Sequence, residues 1–200
     1  MPLPAPANRR LLHTRAVTYH GYERDDGLWD LEAELLDTKD YPIAMFERGD
    51  LPPGTPIHGM TLRVTVDDDF TVRAIATAMD HTPLSECGSA VDPMQAMVGA
   101  IMGRGWRQAI ERALGATRGC AHLRELLFNM ATVAFQTIPA GKLRRHGQST
   151  PPQPVNGQPP FHLGRCSTWD VDGPAVARHY PQFAGWAPLR RVDREPQASR

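Results

Sequence analysis

The apolar period of this chain changes once, and that change limits the fold more than any motif does. In residues 28–35 and 61–66 the apolar residues recur at every second position, and from Asp92 they recur at helical spacing. Residues 28–35 alternate, with Trp29, Leu31, Ala33 and Leu35 on one side and acidic residues on the other, as a half-buried strand requires. Arg24-Asp25-Asp26-Gly27 supplies turn residues before it, so residues 13–22 are expected as the other arm of a hairpin. A second hairpin follows from residues 61–66, with Leu62, Val64 and Val66 on one face, a turn at Asp67-Asp68-Asp69, and a return over residues 70–79. The two hairpins predict a four-stranded antiparallel sheet. Between them, residues 37–57 contain Pro42, Pro52, Pro53 and Pro56, a length that suits either a lid or binding loop or an Ω-loop covering an edge.

Asp92 with Pro93 and Gln95 resembles a capped helix start and predicts a short helix over residues 93–102. Gly103 and Gly105 break it, residues 106–114 continue as a second helix ended by Gly115, and residues 121–138 form the longest one, stopped by Pro139. Strands first and helices second argue for an α+β fold, with three helices packed on one face of the sheet. Residues 139–160 hold six prolines and three glycines with no apolar period, the composition of a linker or surface wrap. The organisation expected is therefore a single α+β domain over residues 1–138, a linker over 139–160, and an aromatic-rich segment over 161–200 that docks on the domain.

Lys plus Arg at 22 balances Asp plus Glu at 22, so no overall field draws the chain to nucleic acid or an anionic membrane. No run of about eighteen apolar residues is present, and residues 1–8 lack the apolar stretch of a signal peptide. The expectation is a cytoplasmic protein with a small-molecule partner, and a homodimer stays open. Cys87, Cys120 and Cys166 are odd in number, and their spacing fits neither a zinc ribbon nor a redox motif. They are read as packed thiols, with no metal ligands and no cofactor assigned.

At about 100° per residue, His122, Glu125, Asn129 and Gln136 fall within an arc of about 60°, beside a core stripe of Leu123, Leu126, Leu127, Met130 and Ala134. Facing a cleft, His122 and Glu125 make an imidazole with an orienting carboxylate one turn away; facing water, they are an ordinary surface pair. Cys120 stands at the start of the same helix, where His122 is an awkward base for it, and is read as a structural or capping residue. His58 enters the third strand and Asp80-His81 ends the fourth, so one rim of the sheet can gather them, either for catalysis or as edge and turn residues. Arg63 and Arg73 on the second hairpin are candidates to hold a carboxylate or phenolate, although a solvated sheet face accounts for them equally. Asp67-Asp68-Asp69 has no calcium-loop pattern, and no Walker, Gly-x-Gly-x-x-Gly, Gly-x-Ser-x-Gly or His-Glu-x-x-His motif is present.

Several runs carry a resemblance. Leu11-Leu12-His13-Thr14-Arg15, Gly21-Tyr22, Asp25-Asp26-Gly27-Leu28-Trp29-Asp30, Asp37-Thr38-Lys39, Ile57-His58-Gly59-Met60, Gly119-Cys120-Ala121-His122-Leu123 with Glu125-Leu126-Leu127, and Ala134-Phe135-Gln136-Thr137 resemble an uncharacterised bacterial family, a domain of unknown function. The resemblance spans most of the chain up to the linker and, more faintly, Cys166 and Tyr180-Pro181. It brings no established activity; it implies an association with the breakdown of aromatic compounds. The resulting expectation is a small, cofactor-independent acid–base enzyme, a lyase releasing formaldehyde or carbon dioxide from an aromatic substrate. His58 and His122 would transfer protons, Glu125 and Asp80 would orient them, Arg63 or Arg73 would hold substrate charge, and Tyr41 and Trp29 would form an aromatic wall. The alternative is a non-catalytic metal- or cluster-binding accessory protein using Cys87, Cys120 and Cys166.

Overall fold

The alternating segments form four long strands, β1 (His13–Glu23), β2 (Trp29–Lys39), β5 (Pro56–Val66) and β6 (Val72–His81), joined in one antiparallel sheet of order β1-β2-β5-β6. The computed structural model describes residues 3–103, 105–148, 157, 159–160 and 162–186. Each hairpin closes on its turn chemistry. Gly27 adopts φ 85° between β1 and β2, a conformation a side chain disfavours. At the other hairpin the Asp67 carboxylate accepts from the backbone N–H groups of Asp69 and Thr71. The acidic run is thus a turn, as its composition predicts.

Residues 37–57 are not an open loop. They contain the end of β2, a small antiparallel pair of β3 (Ile43–Met45) with β4 (Gly49–Leu51), and the start of β5. The prolines punctuate this excursion without preventing pairing. Arg48 donates to the Pro56 carbonyl at 2.8 Å, and Glu47 accepts from the Ser85 N–H at 2.8 Å, which ties the excursion down.

One face of the sheet carries the core. Trp29, Leu31, Ala33 and Leu35 of β2 lie opposite Val66, Val64, Leu62 and Met60 of β5, all buried. They pack against α1 (Trp106–Leu114) and α2 (Ala121–Arg145), whose Ile110, Leu114, Leu123, Leu126, Leu127, Met130, Ala134 and Ile138 are buried with them. The Trp106 indole N–H donates to the Leu127 carbonyl at 2.8 Å, so the two helices share a satisfied polar contact inside the core. The first expected helix is a 3-10 segment, Asp92–Met97, with no side-chain cap on its start. Val98 is already extended, and Gly99 and Ala100 bond to Val72, so the chain leaves the helix to run along β6.

α2 runs through Pro139 to Arg145 instead of stopping before it. An interior proline costs a helix about 3 kcal/mol, so the turns beyond it must be held by contacts outside the helix. They are: a Cβ on Gly141 would stand 2.5 Å from the Trp29 ring, so the backbone lies against the indole, and Arg145 stacks over the same ring at 4.6 Å. Arg144 and Arg145 both pair with Glu23, and Lys142 pairs with Asp68. Only part of the expected linker can be compared, since residues 149–156 and 158 lie outside the described residues.

The chain divides into two units, Met1–Ser149 and Thr150–Arg200. The second contains α3 (Pro174–His179) and a small apolar cluster of Leu163, Val176 and Phe183 with Trp169, Val171, Tyr180 and Trp186 around it. Among the described residues, no helix is long and apolar enough to cross a membrane.

Candidate functional site

The buried stripe of β2 does not end at Leu35. Two residues on, at the next position facing the core, stands Asp37, and its carboxylate is 2% exposed. The same happens on β5, where the stripe Val66-Val64-Leu62-Met60 is continued by His58, the register partner of Asp37. A bulge beside this pair leaves Ile57 as the extra residue of β5 and sets the direction in which His58 enters the sheet. Across β1, Arg15 is the register partner of Asp37 on the other side. The first turn of α2 then lowers His122 onto the same spot.

The geometry is centred on the carboxylate. Arg15 grips it with both arms, Nε on Oδ1 and Nη2 on Oδ2, each at 2.8 Å. His58 Nδ1 lies 3.0 Å from Oδ2, His122 Nε2 lies 3.9 Å from the same oxygen, and His13 Nε2 lies 3.5 Å from Oδ1. The His58 and His122 rings are 4.2 Å apart at an angle of 43°. Burial alone would push the Asp37 carboxyl up, but the Arg15 hydrogen bonds and charge, with His58, outweigh it and hold the group below the usual carboxylate range. The carboxylate is therefore charged in the folded protein and anchors the rings around it.

Removing a carboxylate from water costs several kcal/mol, and replacing such an ion pair with apolar residues is often neutral or stabilising. An Asp at the end of a core stripe is thus poor economy for folding, whereas a fixed charge that orients two imidazoles is what proton-transfer or metal chemistry requires. Asp37, His58 and His122 each offer a ligand atom within 4.8 Å of the other two, close enough to hold a metal ion.

Cys120 caps the start of α2 with Sγ 3.8 Å from His122 Nδ1, so two residues of sequence separation do not keep the pair apart where the first belongs to the cap and the second to the helix. Burial pushes its thiol up, but the His122 hydrogen bond and the N–H groups opening the helix outweigh this and leave it below its ordinary value. A cavity of about 300 Å³, lined by Glu86, Cys87, Ser89, Thr117, Arg118 and Cys120 among others, borders the site at Cys120. The hollow of about 420 Å³ formed by Glu23, Arg24, Asp25 and Asp26 belongs to the β1–β2 turn, at the other end of β2.

The residues singled out by sequence separate into those gathered here and those held elsewhere. His58 and His122 meet. Glu125 is near but turned outward, 56% exposed, and pairs with Arg15 Nη1 at 2.9 Å; the carboxylate beside His122 is Asp37. Asn129 and Gln136 are exposed as well, so the polar stripe of α2 faces water except at its first member. Asp80 is the extra residue of a β6 bulge, between the pairs Met60↔Met79 and Gly59↔His81, and it is exposed. Gly59 and His81 are register partners, so the end of β6 reaches the rim that His58 enters, while Asp80 itself is exposed there. Arg63 pairs with Glu32, and Arg73 pairs with Asp67 beside the turn. Trp29 is 1% exposed, donates to Asp68 at 2.8 Å, and stands eight residues from Asp37, about 26 Å along the strand, so it forms no wall here. Tyr41 is half exposed in the segment following β2.

Asp37, Arg15 and His13 carry no motif of their own, although the strand pattern holds a signal. An alternating core stripe that continues into a charged residue marks a strand position where the core face becomes polar.

A family model described as protein of unknown function (DUF2889) matches residues 13–136, in agreement with the resemblance read from the motifs. The matched span includes Arg15, Asp37, His58, Cys120 and His122. Comparison with curated proteins and with solved structures gave no match.

Proposed function

We propose that this chain, which belongs to the DUF2889 family of proteins of unknown function, is a small acid–base enzyme with its reaction centre at Asp37, His58 and His122. The observation that carries the reading is the convergence of two imidazoles on one buried, charged carboxylate. Imidazole gives and takes protons near neutral pH, and a carboxylate on one ring nitrogen fixes which nitrogen meets the substrate. Asp37 does this for His58 through Nδ1, leaving Nε2 for the reaction. His122 is the second proton carrier, and Arg15 holds Asp37 ionised while its own charge favours an anionic substrate nearby. His58 and His122 are 20% and 21% exposed, enough for a small molecule to reach them.

The reaction class that fits these parts is cleavage of a carbon–carbon bond in an aromatic acid or phenol, with loss of formaldehyde or carbon dioxide, in bacterial catabolism within the cytoplasm. The resemblance contributes the aromatic substrate, and the proton-transfer groups contribute the lyase chemistry. The test is a screen of the purified chain against phenolic and aromatic carboxylic acids, following released formaldehyde and carbon dioxide. On any substrate turned over, His58→Ala and His122→Ala should each lower kcat/KM by about a hundredfold or more, the usual worth of a placed acid or base. Unchanged turnover in both variants contradicts the reading.

A further inference from the structure

We infer that Asp37, His58 and His122 together hold one divalent first-row transition-metal ion, with at least one coordination position left open. The inference rests on the reading that this cluster is the reaction centre, and it adds a cofactor that no sequence motif announces. The three donors come from β2, β5 and the first turn of α2, and one atom of each lies within 4.8 Å of the other two. Nitrogen and oxygen ligands bind such ions at about 2.0 to 2.2 Å, which places neighbouring ligand atoms about 3.0 to 3.5 Å apart. The 3.0 Å between His58 Nδ1 and Asp37 Oδ2 is of that size, and the 3.9 Å from His122 Nε2 to Oδ2 closes by a small turn of the ring.

Arg15 does not block the ion. A carboxylate has about four acceptor directions, and the guanidinium uses one on each oxygen, which leaves Oδ2 able to bind on the side of the rings. Its charge is in turn offset by Glu125. Two imidazoles and one carboxylate form a donor set for zinc, iron(II), cobalt or nickel, and not for calcium or magnesium, which take oxygen ligands. Three protein ligands, with no fourth donor grouped with them among the described residues, are the pattern of a catalytic ion rather than a structural one.

The inference also narrows the chemistry. With an ion bound, His58 and His122 would serve as its ligands, and the ion would supply Lewis acidity beside the proton-transfer groups. Imidazole and carboxylate bind such an ion only when deprotonated, so uptake should weaken as pH falls. A divalent ion and Arg15, set against Asp37 and Glu125, give the centre net positive charge and favour a substrate presenting a carboxylate or phenolate oxygen.

The full chain, stripped with chelator and dialysed, is titrated with cobalt(II) by visible absorption and then with zinc as a competitor. The expected result is saturation at one ion per chain, displacement by zinc, and binding weakened about a hundredfold or more in Asp37→Asn, His58→Gln and His122→Gln. His20→Ala, on the opposite face of the sheet, should bind like the parent chain. Zinc should also shift the ring resonances of His58 and His122 in the unsubstituted protein, a readout that does not depend on any variant folding. Absence of uptake near one ion per chain, or uptake that survives loss of both His58 and His122, overturns the metal site. In the first case the turnover test of the two imidazoles still stands. Ion binding with turnover indifferent to His58 removes the enzyme reading instead and leaves a metal-binding protein.

Discussion

The two ends of α2 lie over the same sheet face and treat polar groups in opposite ways. The helix runs in the direction of β1: Arg15 meets Glu125, Tyr19 donates to the Leu126 carbonyl at 3.3 Å, Gly21 admits Thr137, and Glu23 meets Arg144 and Arg145. At the far end Glu23, Asp68, Lys142, Arg144 and Arg145 are spent on structure. Trp29 is roofed by Arg145, edged by Gly141 and hydrogen-bonded to Asp68, and the acids there are matched by three cations. At the near end one carboxylate is shared by a guanidinium and the rings of His13, His58 and His122, more partners than it needs for its own burial. The first arrangement extends a helix past its proline; the second spends core positions on groups that move protons or bind ions.

Breaking the structural end should therefore cost stability without touching the centre. Trp29→Ala should lose about 3 to 5 kcal/mol in chemical denaturation, because it empties a large buried volume and releases the end of α2. The same variant, where still folded, should bind cobalt as the parent does. Gly141→Leu should cost about 1 to 3 kcal/mol, read as a lowered Tm, since the new side chain must enter the space of the indole. If either variant weakens the centre as much as it weakens the fold, the two ends are not independent.

A smaller effect sharpens the comparison from the other side. The folded-state pKa of Asp37 lies below its unfolded value, so its contribution to stability is complete above about pH 4 and disappears as pH falls through the lower folded value. In acid titrations of the metal-free protein, Asp37→Asn should show a flatter loss of stability below about pH 4 than the parent chain. Equal slopes would mean that Asp37 is not held ionised by Arg15.

The alternation of Trp29 to Leu35 and of Leu62 to Val66 was enough to place the sheet, and the second expected helix, residues 106–114, matches α1. The site was only half legible. His58 and His122 stand out as histidines at element ends, but Asp37 does not, because a pattern of apolar residues stops being read where the last apolar residue stands. Asp80 is the exposed extra residue of a bulge, which follows from backbone geometry at one position and leaves no compositional trace. Pro139 reads as a stop because helix propensity is local, whereas the contacts that carry the helix past it come from Trp29, Glu23 and Asp68, more than seventy residues away along the chain.

The central claim is that Asp37 fixes His58 at a centre built for chemistry, and the protonation state of one ring tests it most directly. Nitrogen-15 spectra of the histidine rings in the metal-free chain, above the pH at which the ring becomes neutral, should find the His58 proton on Nδ1, lost from that position in Asp37→Asn. A His58 ring protonated on Nε2 and indifferent to Asp37→Asn would contradict the account.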